Sequence, residues 1–372
     1  MDLGFLDPLY RRGGPVASAY LDTTLAVEDA AKQIELRWRD LRAGLAEEGA
    51  DEPTLKAMDD AAGGVAGIPG PQGEALFAAG GELLGAYSLS RPPVRDRATF
   101  SALPDVRELA ADRENGMPYV VVATDRVGAD VYAYAANGGE PTERSFNGAT
   151  LHIQKVRGGG YAHKHYQRTS EELWSANAAA VAEDVTAAIE DVGAAAVFVG
   201  GDERAIGKLR EHLGKHANGL LVEVAGGGRA DESALASLRD SVDSALRQVA
   251  EARHEEVISQ FDAEVQRQGR AVEGAGRTVE ALRSGQVGTL LLADPGGQRS
   301  VLWTAPGDPV DSATDRGRLA DPEQAVTAPV DAVLLRAAHA TDAAFATLSE
   351  GDIARIATAP SVGAILRFTM EL

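Results

Sequence analysis

Residues 156–174, VRGGGYAHKHYQRTSEELW, hold the residue types best suited to chemistry in this chain. Lys155, Arg157, Lys164 and Arg168 supply positive charge, and no Asp or Glu interrupts the run from Arg144 to Ser170. Gly158, Gly159 and Gly160 leave backbone N–H groups open to the close approach of an anion. Tyr161 and Tyr166 carry flat faces on which a base can stack. His163, His165 and Gln167 add hydrogen-bonding groups. The combination suits a phosphate-rich partner, and RNA in particular. The plainer alternative is a hairpin loop with incidental charge.

The rest of the composition sharpens the contrast. The 372 residues carry a formal net charge of −20, so diffuse electrostatics repel nucleic acid and anionic membrane alike. Any RNA contact must therefore rest on local basic islands. Hydrophobic residues make up 44% and charged residues 25%, the balance of a globular protein with its own cores. There is no cysteine, which excludes disulfides, thiolate catalysis and cysteine-based zinc sites. No apolar run reaches the 18 residues a membrane span needs, and the first residues lack a secretory pattern, so the expected location is cytoplasmic.

Other candidate motifs are weaker. Gly200–Leu209, GGDERAIGKL, follows a strand and opens a helix as a phosphate loop does. Five residues instead of four separate Gly201 from Gly207, however, and Leu209 stands where a magnesium-binding Ser or Thr belongs. GAGRTVEAL from Gly274 lacks a recognisable strand before it, so it reads poorly as a dinucleotide loop. His152, His163 and His165 lack a nearby carboxylate to complete a metal shell. No serine-hydrolase elbow is present. The sequence implies no metal and no cofactor.

Hydrophobic periodicity gives the elements that position the basic loop. Residues 1–115 read as an N-terminal α/β domain. It has a strand in PVASAYLD, a helix with Leu25, Ala30, Ile34, Trp38 and Leu41 on one face, and a hairpin turning at Gly80 and Gly81. Residues 116–230 read as a middle α/β domain with a mixed sheet. Tyr119–Thr124 and Ala129–Ala135 form a hairpin, ATLHIQKV is a third strand, and the basic loop follows. Thr169 and Glu172 have the spacing of a capping box, which starts the next helix there. Leu173, Ala180, Val181, Val185, Ala188 and Ile189 form its apolar face. Residues 231–270 read as a connecting helix and 271–372 as a C-terminal α/β/α sandwich.

In the order of its parts, the chain resembles the archaeal and eukaryotic class 1 release factor superfamily and its bacterial branch. PVASAYLD, TDRVGADVYAY, TSEELWSANAAAVAEDV, AVFVGGDERAIGKL and VGAILRF further resemble the actinobacterial relatives of the ribosome hibernation factor Balon. Members of the superfamily carry a Gly-Gly-Gln loop in the middle domain. Arg157, Gly158, Gly159, Ala162, Tyr166 and Arg168 match or approximate that loop, but Gly160 or Tyr161 stands where its glutamine would be. In release factors that glutamine helps position water at the peptidyl-tRNA ester. The stop-codon-reading motif of those factors is also missing from the N-terminal segment.

The resemblance implies a three-domain, release-factor-like architecture. It implies a protein that enters the vacant ribosomal A site during dormancy, without hydrolysing peptidyl-tRNA. Residues 155 and 157–168 would face ribosomal RNA near the peptidyl-transferase region, and elongation factor Tu is the implied delivery partner. Neither DNA nor a membrane is expected as a partner. Two alternatives remain open: a peptidyl-tRNA hydrolase acting in ribosome rescue, with Gln167 or His163 in the glutamine's place, and a protein-binding scaffold.

Overall fold

The computed structural model describes residues 1–24, 30–63, 71–135, 142–147, 160–226, 232–293, 300–356 and 361–368. Side chains are described throughout these except at Asn115, Asn147, residues 160–172, Glu232 and Leu235. The chain is α/β, with four sheets among the described residues divided between two compact units. One unit comprises Met1–Asn115 together with His254–Leu372, and the other Gly116–Arg253.

The N-terminal segment contains α1 (Asp7–Tyr10), β1 (Val16–Asp22), α2 (Ala30–Glu47), α3 (Glu52–Asp59), β2 (Gly73–Ala79), β3 (Glu82–Leu89), β4 (Arg97–Ser101) and α4 (Arg107–Asn115). The sheet runs β3-β2-β1-β4 and is antiparallel throughout. Gly80 and Gly81 link β2 to β3 with φ of 54° and 80°, the paired positive values of a two-residue hairpin turn. Both sheet faces are covered. Ala17, Ala19, Leu21, Leu76 and Ala78 face Ile34, Trp38, Leu55 and Met58 of α2 and α3. Alternate residues Val16, Tyr20, Ala75 and Phe77 face the other way, into a second core.

Gly116–Arg253 holds β5 (Tyr119–Thr124), β6 (Gly128–Tyr134), β7 (Thr142–Asn147), α5 (Gly160–Val192), β8 (Ala196–Gly201), α6 (Glu203–His212), α7 (Lys215–Leu220), β9 (Leu221–Glu223) and the first part of α8 (Glu232–Gln266). The sheet order is β7-β6-β5-β8-β9, with the pairs β5–β8 and β8–β9 parallel and the pairs β5–β6 and β6–β7 antiparallel, a mixed sheet. Val120, Val122, Val197 and Val199 pack against Val181, Val185, Ala188 and Ile189 of α5 and against Ile206 and Leu209 of α6. Val121, Ala123 and Phe198 point to the opposite face and meet Leu238 and Val242 of α8. The period of two along β5 and β8 thus feeds two separate helical layers.

Two elements of this unit differ from the sequence expectation or lie beyond it. The helix begins at Gly160, so Thr169 lies inside α5 rather than at its cap. The capping-box spacing misleads because Ser, Thr and Glu recur in helix interiors as well as at their starts. Leu173 and Ala180 are half-buried, while Ala178 and Ala182 take fully buried places on the apolar face. The strand expected in ATLHIQKV lies outside the described residues.

The C-terminal segment continues with β10 (Ala271–Glu273), α9 (Ala275–Arg283), β11 (Val287–Ala293), β12 (Val301–Ala305), β13 (Asp308–Ala313), β14 (Val326–Pro329), α10 (Val330–Ala340), β15 (Ala344–Leu348), α11 (Glu350–Arg355) and β16 (Val362–Leu366). One sheet runs β10-β16-β11-β15 and a smaller one β13-β12-β14. A strand therefore does precede Gly274, a correction to the sequence reading. At three residues, β10 is too short to show a period of two. Leu290, Leu292, Leu334, Leu335 and Phe345 join the core of Tyr20 and Phe77, so the N- and C-terminal segments share one hydrophobic interior. Arg107 of α4 reinforces it by donating to the Leu292 carbonyl at 3.0 Å, its guanidinium 5.5 Å from the centre of the Phe345 ring.

Candidate functional site

Lys155, Arg157, Gly158 and Gly159 lie outside the described residues. The backbone of Gly160, Tyr161, His163, Lys164, His165, Tyr166, Gln167 and Arg168 forms the first turns of α5. The structure thus turns the second half of the predicted basic segment into helix. Further along, α5 borders a cleft with a full set of described side chains.

The cleft is built from the carboxyl ends of the parallel strands β5 and β8, where α/β folds commonly bind ligands. At the end of β5, the Asp125 carboxylate accepts the backbone N–H groups of Val127 at 2.7 Å and Gly128 at 2.9 Å. This tight turn fixes the backbone that carries Arg126. At the end of β8, Gly201 has φ +136°, and a Cβ there would collide with the Thr124 carbonyl oxygen. Glycine is required because the two strand ends touch backbone to backbone. The N–H of Asp202 then donates to that same carbonyl at 3.1 Å.

Asp202 caps α6 by accepting the N–H groups of Arg204 at 3.0 Å and Ala205 at 3.1 Å. Its other oxygen accepts from Arg126, with Nε at 3.0 Å and Nη2 at 2.9 Å. The hydrogen bond from Arg126 holds the Asp202 carboxyl below its ordinary range, helped by the helix N–H groups. The start of α6 is thereby filled by the chain's own anion. GGDERAIGKL is a strand-to-helix turn in which Gly200 and Gly201 serve close packing.

Clamped along its edge by Asp202, the Arg126 guanidinium lies over the Trp174 ring, 5.1 Å from its centre. Asn177, Ala178 and Val181 continue the α5 wall, and Arg204, Ala205, Lys208 and Leu209 form the α6 wall. Arg204 is exposed and has no carboxylate partner among the described residues. Lys208 pairs with Glu211 at 2.8 Å. The lining carries three cations, Arg126, Arg204 and Lys208, against one carboxylate, Asp125, which its own turn occupies. The arrangement can hold an anion and stack a planar group. The Ser175 hydroxyl of α5 and the Nε2 of His212 of α6 lie 2.9 Å apart between the same two helices, and among the described residues no cluster of His, Asp and Glu suits a metal.

Arg126, Trp174, Arg204 and Lys208 escape a sequence reading centred on the glycine loop. The available signal was Trp174 at the end of that stretch, but Arg126, after β5, and Arg204, at the start of α6, lie 78 positions apart and only the sheet brings them together.

The sequence model of bacterial archaeo-eukaryotic release factor family 2 matches residues 118–267. An uncharacterized protein of Mycobacterium tuberculosis, found in strains H37Rv and CDC 1551, is 31% identical over 95% of this chain and 94% of its own length. The chain belongs to the bacterial branch of the archaeo-eukaryotic release factor superfamily. Solved structures similar to this family member include a ribosome-bound archaeal Pelota (14% identity, 99% of this chain and 95% of that one, TM-score 0.42). A translation termination-like factor of S. cerevisiae is 9% identical, covering 81% of this chain and 80% of its own, with a TM-score of 0.39. An archaeal translation termination factor is 16% identical over 98% and 96%, with a TM-score of 0.26. Among the described residues of this family member, no helix is long and apolar enough to cross a membrane.

Proposed function

We propose that this protein is a ribosome-binding translation factor of release-factor type that occupies the vacant A site during dormancy and does not release peptide. The observation that carries the reading is the absent glutamine. The place where the superfamily's loop has its glutamine falls on Gly160 or Tyr161, and neither supplies an amide. Without the amide's paired donor and acceptor to orient water at an ester, the catalytic element is missing from a loop that keeps its glycines and bases. Membership of the release-factor superfamily supplies the ribosome as partner. The basic run from Lys155 to Arg168, in a chain of net charge −20, supplies contacts to ribosomal RNA in the A site and peptidyl-transferase region. Elongation factor Tu is the delivery partner in this reading.

Cosedimentation with vacant 70S ribosomes tests the first half. The wild type is expected to pellet with ribosomes in a strongly salt-dependent manner. The Lys155→Glu, Arg157→Glu, Lys164→Glu, Arg168→Glu variant is expected to stay in the supernatant. Peptide release from stalled ribosome–nascent-chain complexes tests the second half, and the expected release is at background. Turnover abolished by Gln167→Ala would establish the hydrolase alternative instead. Salt-insensitive binding to a single protein would favour a scaffold.

A further inference from the structure

The cleft between α5 and α6 uses none of residues 155–168, and the ribosomal role proposed for that loop does not draw on it. We propose that the cleft is a second RNA site, taking one nucleotide of a single strand with its base on Arg126 and its phosphate against Arg204 and Lys208. This rests on the proposed ribosomal role and adds a second RNA contact at named residues.

Arg126 is set in place by the fold. Asp202 accepts from its Nε and Nη2, which fixes the guanidinium plane and neutralises its edge. One face rests over Trp174. The side chain still keeps 44% of its accessible surface. An arginine held this way is a weaker phosphate clamp, because its Nε–Nη2 edge is already engaged by Asp202. It is a good stacking surface, because its plane is set before the ligand arrives. RNA-binding proteins stack splayed bases on arginine planes as well as on aromatic rings.

Arg204 plays the complementary part. It stands in the first turn of α6, exposed and without a carboxylate partner among the described residues. It breaks no such ion pair to engage a new anion. Lys208 lies one turn along the same helix, on the same wall of the cleft. Two cations beside a stacking plane suit a nucleotide, which carries both a charge and a base, better than an acidic peptide, which has no use for the plane.

The test uses the full chain, a fluorescein-labelled single-stranded RNA decamer and vacant 70S ribosomes. Arg204→Glu suits the fold, since an acid in the first turn of a helix is favoured. Arg126→Lys keeps the charge and removes the plane. Arg204→Glu should weaken decamer binding at least tenfold and flatten its dependence on log salt by about 0.7 or more, the slope of one single-strand phosphate contact. Arg126→Lys should weaken it at least threefold with the salt slope unchanged. Circular dichroism and unchanged melting establish that both variants fold. Wild-type binding that both variants keep within twofold overturns the second site and leaves the ribosomal reading standing. Ribosome binding lost in Arg204→Glu with no change in decamer binding points to a protein partner and also overturns it. A wild type that binds neither ribosomes nor decamer removes the reading and the site together.

Discussion

The Nε2 of His254 donates to the carboxylate of Asp352 at 2.8 Å, across 98 residues of sequence. The other ring nitrogen faces the Glu114 carboxylate at 3.6 Å. Glu114 itself accepts from the backbone and hydroxyl of Thr347, and Asp352 closes the capping box of α11 with Ser349. One imidazole thus ties α4, α8 and α11 together. The Glu114 carboxylate beside the ring, together with the hydrogen bond to Asp352, raises its pKa from 6.5 to about 9.

Stability should therefore fall on the alkaline side. The folded chain binds this proton more tightly than the unfolded one, so the stabilisation is complete below pH 6.5. It fades as pH rises through 9. Partial exposure of the ring limits the effect to about 1–2 kcal/mol after solvent screening. Denaturant unfolding of wild type and His254→Gln at pH 6 and pH 10 checks it. The difference between them should shrink at the higher pH, and a constant difference would contradict the protonated clamp.

Gly201 and Gly207 predict opposite outcomes for the same substitution. Gly201→Ala forces a Cβ into the Thr124 carbonyl at a φ of +136° and should cost about 3 kcal/mol or more. Gly207 lies inside α6, where an added methyl would meet nothing within 4 Å. Gly207→Ala should add up to about 1 kcal/mol through helix propensity. Chemical denaturation of the two variants measures both, and equal effects would contradict the backbone contact between β5 and β8.

Thr169→Ala separates two starts for α5. A helix capped at Thr169 would lose about 1 kcal/mol. A helix that starts at Gly160 places Thr169 in its interior, where alanine is the better helix former. The expected result is therefore unchanged or slightly higher stability, with helical content by circular dichroism unchanged or raised. A loss of about 1 kcal/mol would restore the cap.

A fragment of residues 1–115 should not melt cooperatively. Its Tyr20 and Phe77 share a core with Leu290, Leu334 and Phe345, all beyond residue 253. Coexpression with residues 254–372 should restore a cooperative transition, whereas residues 116–253 should melt cooperatively alone, since they form their own compact unit. Scanning calorimetry of the three preparations decides, and a sharp transition in 1–115 alone would show that the shared core is dispensable.

Much of the fold was legible in the sequence. The alternation in Tyr119–Thr124, the glycine pair at Gly80 and Gly81, and the apolar faces of α2 and α5 each report a local periodicity, and the elements follow it. The strands β7 and β13 did not show, because TERSFN and DPVDSA are polar segments made extended by their neighbours in a sheet. The basic island around Gly158–Gly160 and the missing glutamine are also properties of sequence alone.

Tertiary structure decided the rest, and for one reason. Local patterns fix which face of an element is apolar, but not which distant element covers it. Tyr20 needs a partner on the far side of its sheet, and the fold supplies it from residues beyond 270. Arg126, Trp174 and Arg204 become one cleft because β5 pairs with β8 in parallel, which brings the turn after β5 and the start of α6 to the same end of the sheet, beside α5. The sequence determined the chemistry available to this protein, and the pairing of strands remote in the chain determined which of those groups can act together.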